Sequence, residues 1–144
     1  VAELKDGSLM LNIRDNRNRL DKSKTNGRAV SVTKDMGKTW QVHSSDHGAL
    51  PEPVCMASLI SHDLKDGRRI LFFSNPNSKY KREKMTVRMS LDQGKTWPQS
   101  ILLDDKGGAY SSLAMVDDRT LGILYESSVA DMVFQKIKLS EFGL

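Results

Sequence analysis

The sequence predicts an all-β fold assembled from repeated antiparallel units, on three observations. The tetrapeptide LKDG occurs at 4–7 and again at 64–67. The octapeptide TKDMGKTW at 33–40 returns as SLDQGKTW at 90–97. Short aliphatic and β-branched runs flank each of these turns, and none has the length or 3.6-residue periodicity of an amphipathic helix.

The elements follow in chain order. VAEL at the start is an apolar strand run, LKDG turns it, and SLMLNIR at 8–14 leads away. Gly in such a turn supplies the positive φ that a tight hairpin needs. RDNRNRLDKSK at 14–24 is a polar connection whose basic residues solvate it. RAVSV at 28–32 alternates as a strand and feeds the first octapeptide. HGALPEPVCMAS at 47–58 is a loop entering a strand, with Pro51 and Pro53 blocking regular pairing. The second unit repeats the order: MASLIS, LKDG, RRILFFS at 68–74, MTVRM at 85–89 and the second octapeptide. A third begins with YSSLAMV, turns at VDDRT (116–120, with Asp118 aligned to Asp66), returns as TLGILYE and ends in MVFQKIKL at 132–139. A period of about 50–60 residues with about four short strands per unit is the spacing of β-propeller blades. One domain over residues 1–144, of about three blades, is therefore expected.

Composition removes several functional classes. The chain of 144 residues carries 22 Lys+Arg against 18 Asp+Glu, and its 38% hydrophobic content holds no membrane span. A pI of about 9.2 invites a nucleic-acid reading, but basic residues alternate with acidic ones and aromatics are only 6%. The single cysteine, Cys55, excludes an internal disulfide framework, and His43, His47 and His62 lack metal-ligand spacing. Opening in mid-strand at Val1 reads as a truncated or processed piece of a longer protein.

In the octapeptide, Asp bonds backbone N–H groups of its own turn, Gly takes the left-handed conformation, and Trp folds back and buries apolar surface. Asp35, Gly37, Trp40, Asp92, Gly94 and Trp97 are thereby structural Asp-box residues on a rim remote from any chemistry.

Four stretches then resemble consecutive motifs of the bacterial sialidase (neuraminidase) family: LMLNIRD at 9–15, TVRMSLDQGKTW at 86–97, GGAYSSLA at 107–114 and ILYE at 123–126. The resemblance covers essentially the whole chain. It implies the C-terminal half of a six-bladed catalytic propeller: a retaining exo-sialidase that hydrolyses terminal α-linked sialic acid, without a metal or cofactor. Carried over by position, Arg14 and Arg88 match two arginines of the triad that holds the substrate carboxylate. Guanidinium forks suit that task because they pair bidentately with a planar anion and keep their charge. Tyr110 matches the family's nucleophile, and the handling of sialosides by a neutral tyrosine rather than a carboxylate avoids repulsion from the substrate's own carboxylate. Glu126 matches the glutamate that orients the first arginine of the triad. Glu52 and Met56 fall where the family has pocket rim, with Cys55 between them; a rigid loop holding a buried thiol is the plainer reading. Gly107 and Gly108 suggest close approach of backbone and ligand.

The family's base glutamate lies three residues before a V-x-E-L run, here outside the sequence, and Glu3 is not a substitute for it. The general acid and first arginine also belong to the family's N-terminal half. The resemblance thus implies an inactive chain in isolation, a partner in that N-terminal half, sialylated glycans as substrate, and an extracellular or periplasmic location. The alternative is a non-catalytic Asp-box propeller that binds glycans or serves as a scaffold. Arg14, Arg88, Tyr110 and Glu126 together discriminate, since a scaffold has no use for the set.

Overall fold

The computed structural model describes residues 1–21 and 26–144, and its strands form three antiparallel sheets. Residues 22–24, the end of the polar connection, lie outside the described residues. The first sheet runs β1 (Ala2–Glu3), β2 (Leu9–Ile13), β3 (Ala29–Thr33) and β4 (Gln41–Val42) in sequence order. The second runs β5 (Ser58–Asp63), β6 (Arg69–Pro76), β7 (Met85–Ser90) and β8 (Gln99–Asp104). The third holds β9 (Ser111–Asp117), β10 (Thr120–Glu126) and β11 (Met132–Lys138). These are three consecutive meander sheets of the propeller type. The third has three strands rather than four. After β11 the chain folds Leu139–Phe142 into a 3₁₀ turn, and Phe142 packs on Phe72 with ring centroids 5.3 Å apart.

Both LKDG turns close alike. Gly7 N–H donates to Leu4 O (3.0 Å) and Gly67 N–H to Leu64 O (2.9 Å), with φ of +79° and +82°. A Cβ on either glycine would meet nothing within 4 Å, so conformation rather than space calls for glycine there. Asp6 and Asp66 accept the N–H two residues on. In the third unit Asp117 does so, from Arg119 at 2.8 Å, which corrects the alignment on Asp118. Its loop is shorter, because Asp117 itself pairs with Thr120.

The octapeptide turns match bond for bond. Asp35 accepts from Thr39 N–H at 2.8 Å and its hydroxyl at 2.7 Å; Asp92 accepts from Thr96 at 2.9 and 2.7 Å. Trp40 Nε1 donates to Gly37 O (3.1 Å) and Trp97 Nε1 to Gly94 O (3.2 Å). The tryptophans differ in burial. Trp97 packs into the layer between the first two sheets, 5.8 Å from the Phe73 ring. Trp40 is 45% exposed, against the expectation that both would be covered. It folds over Gly37, 3.5 Å from where a Cβ would lie, but no sheet among the described residues packs on its other side.

The core lies in two layers, one on each side of β6. Ile70 and Phe72 join Val87, Leu121, Ile123 and Phe142 between the second and third sheets. Leu71 joins Met10, Val30, Ala2 and Leu4 between the first and second. Alternate side chains point to opposite faces of a strand, and burial on both faces explains why ILFF reads as an unbroken apolar run.

Candidate active site

The two ends of the sheets have different chemistry. Thr33, which opens the first octapeptide, pairs with Leu9, whereas Arg14 follows Ile13 at the other end of β2. Ser90 pairs with Leu71 near the start of β6; its far end, Pro76, meets Met85, whose N–H bonds Gly107 O just ahead of Tyr110. The octapeptide turns therefore stand at the end opposite Arg14 and Tyr110.

Tyr110 immediately precedes β9 and is 41% exposed. Its N–H donates to Glu126 Oε2 at 3.0 Å, and Glu126 N–H donates back to Tyr110 O at 3.0 Å. No guanidinium pairs with Glu126 among the described residues. The guanidinium over the Tyr110 ring belongs to Arg82, 5.5 Å from its centroid. A cation at that distance from an aromatic face is attracted by the ring quadrupole.

Arg82 and Arg14 line one cleft of about 370 Å³ with Asn16, Arg19, Pro53 and Val54. Arg82 Nη2 also donates to Val54 O at 3.4 Å. Val54 holds φ +61°, an outlier for a β-branched residue. The lining holds three arginines and no carboxylate, a chemistry suited to an anion.

Arg88 is elsewhere. It stands opposite Phe73 within β7, on the face turned to the first sheet, and its Nη2 donates to Asn77 Oδ1. Its Nη1 is buried without a partner, and burial lowers the guanidinium's pKa. The side chain nevertheless reaches the strand end, because Asn77 lies just beyond Pro76, the last residue of β6. Arg82 was missed because KREK at 81–84 reads as a solvated charge run. Its loop follows Asn-Pro-Asn at a strand end, which is where binding residues concentrate.

Glu52 is fully buried, so it is not pocket rim. Its Oε2 accepts from Arg28 Nη1 at 2.8 Å, and the pair is buried on both sides. Met56 is 37% exposed but does not line the cleft. Cys55 is buried, its thiol donating to Ala109 O at 3.2 Å, and burial pushes its pKa up. Gly107 and Gly108 admit the protein's own chain rather than a ligand. Cβ atoms there would lie 2.6 Å from Ser128 Cα and 2.7 Å from Met85 Cβ. Among the described residues, no group of three His, Cys, Asp or Glu side chains could hold a metal ion, and no helix is long and apolar enough to cross a membrane.

Behind Arg14, Asp15 holds His47 and Arg17. His47 Nε2 lies 2.8 Å from Asp15 Oδ2 and its Nδ1 2.7 Å from Asp46 Oδ2. Burial opposes charge on His47, but the two carboxylates outweigh it and raise its pKa. Asp15 is held well below the usual carboxylate range, chiefly by Arg17.

Residues 1–125 match the family model of the BNR repeat-like domain. A sialidase of Bacteroides fragilis (strain YCH46) is 53% identical over 98% of this chain and 26% of its own length. A sialidase of Micromonospora viridifaciens is 36% identical over 88% of the chain and 19% of its own. The Hadza microbial sialidase Hz136 superimposes with a TM-score of 0.89 and 48% identity, over 99% of this chain and 27% of its own. The leech intramolecular trans-sialidase, complexed with 2,7-anhydro-Neu5Ac, gives 0.78 and 25% identity, covering 98% and 23%. The 144 residues thus span about a quarter of the relatives they match most fully. The chain belongs to the BNR repeat-like domain family.

Proposed function

We propose that the protein containing this chain is a retaining exo-sialidase that releases terminal α-linked sialic acid from glycoconjugates outside the cytoplasm or in the periplasm. The observation that carries this reading is Arg82, which covers the exposed Tyr110 ring and also lines one cleft with Arg14. Arg14 and Arg88 hold the substrate carboxylate, as the TVR motif suggests, with Arg82 lining the same cleft as Arg14. The phenol oxygen of Tyr110 attacks the anomeric carbon as the bond to the leaving glycan oxygen breaks. The phenol proton passes to a base, and the leaving oxygen takes one from an acid. Water then cleaves the tyrosyl intermediate, which gives net retention. Glu126 fixes the Tyr110 backbone and keeps its carboxylate for a third arginine.

We place that arginine, the base and the acid in an N-terminal half of the same domain. That half also covers the third sheet, where Val116, Leu124, Met132 and Phe134 are exposed. Release of the fluorophore from a fluorogenic α-sialoside by the full-length protein tests the reading, with product anomer followed by NMR. First-formed β-anomer, or no release at all, overturns it. The 144 residues alone are expected to release none, and turnover by them would show the base and acid to be misplaced.

A further inference from the structure

We propose that Glu52, Arg28 and Cys55 are positioning residues: one buried polar chain through them sets the separation of Arg14 from Tyr110. The proposal rests on the reading of Arg14 and Tyr110 given above.

The chain starts at the peptide after Arg14. Asp15 N–H donates to Glu52 Oε1 at 2.8 Å, and Glu52 Oε2 accepts from Arg28 Nη1 at 2.8 Å. The same Nη1 donates to Cys55 O at 2.7 Å, and Arg28 Nε to Asn12 Oδ1 at 2.6 Å on β2, the strand that Arg14 follows. Cys55 Sγ then donates to Ala109 O at 3.2 Å, and Ala109 is joined to Tyr110. The route touches the end of β2, the 47–58 loop and the approach to β9, so it ties together segments that no single sheet unites.

Stability alone does not call for it. A buried ion pair contributes little against apolar residues of the same volume, because both charges lose their water. Direction is what it adds. Each bond fixes a backbone atom next to a proposed reacting or binding residue, and displacement of about 1 Å there costs roughly a hundredfold in rate. The Glu52 end acts on Arg14 and hence on anion binding. The Cys55 end acts on Tyr110 and hence on turnover.

Steady-state kinetics and thermal midpoints of full-length variants test this. Glu52→Gln keeps an acceptor for Asp15 N–H but strands the Arg28 charge. It is expected to raise KM roughly tenfold with kcat within about twofold. Cys55→Ala is expected to lower kcat roughly tenfold at nearly constant KM, and Cys55→Ser, which again presents a donor, to recover most of it. Unchanged parameters in both variants, or equal loss in all three that tracks their midpoints, overturn the proposal. Should Glu52→Gln fail to fold, the Cys55→Ala and Cys55→Ser pair decides alone. Tyr110→Phe is run alongside. If it is dead while Glu52→Gln and Cys55→Ala are silent, only the positioning role fails. If it turns over normally, the reading of the site falls and the proposal with it.

Discussion

Arg82 covers the face of Tyr110, its guanidinium carbon 5.5 Å from the ring centroid, although the two residues enter from different sheets. Replacing the planar fork by a point charge removes bidentate pairing while keeping the positive charge. Arg82→Lys in the full-length protein is therefore expected to weaken binding of a carboxylate-bearing sialic acid analogue by roughly tenfold or more, measured by calorimetry. Arg88→Lys is expected to weaken it to a similar degree, since Arg88 Nη1 has no protein partner. Unchanged affinity in Arg88→Lys would remove Arg88 from the site.

Removing the phenol oxygen separates binding from chemistry. Tyr110→Phe retains the ring under Arg82, so the same analogue should bind within a few-fold of the unmodified protein. Turnover should fall by roughly three orders of magnitude or more. Loss of both together would mean that Tyr110 shapes the cleft without reacting.

The two tryptophans give a packing prediction. Trp97→Ala opens a void beside Phe73 in the layer between sheets and is expected to cost roughly 2–4 kcal/mol. Trp40→Ala removes a ring that is 45% exposed and is expected to cost about 1 kcal/mol or less. Chemical denaturation of the full-length variants would resolve the difference.

His47 bridges Asp15 and Asp46. Its pKa is raised in the fold, so its charged form adds stability that is complete below the unfolded value of about 6.5. That stability is lost as pH rises through the folded value. The gap in thermal midpoint between the protein and His47→Gln should therefore be widest near pH 5.5 and shrink above neutrality. A gap that widens with pH would reverse the assignment.

Short-range features were legible in the sequence because their causes are local. An Asp, a Gly and a hydroxyl within one turn determine that turn, so LKDG and both octapeptides could be read directly. Arg14, Tyr110 and Glu126 sit at strand ends, where short motifs carry position. What failed was partnership at a distance. Glu52 looks like a loop carboxylate until Arg28, 24 residues earlier, is folded against it. Arg82 looks solvated until the third sheet brings Tyr110 beneath it. Trp40 and Trp97 both end a GKTW run, and the neighbouring sheet is what distinguishes their burial.

Adjacent residues of β6 belong to different interiors: Phe72 faces the third sheet and Phe73 the first. The middle sheet thus has no finished side until both neighbours have docked, and neither layer can close without it. Loss of either flank would expose one row of this strand and spare the other. Disruption of β6 itself should instead open both layers at once, which makes it the keystone of the three sheets.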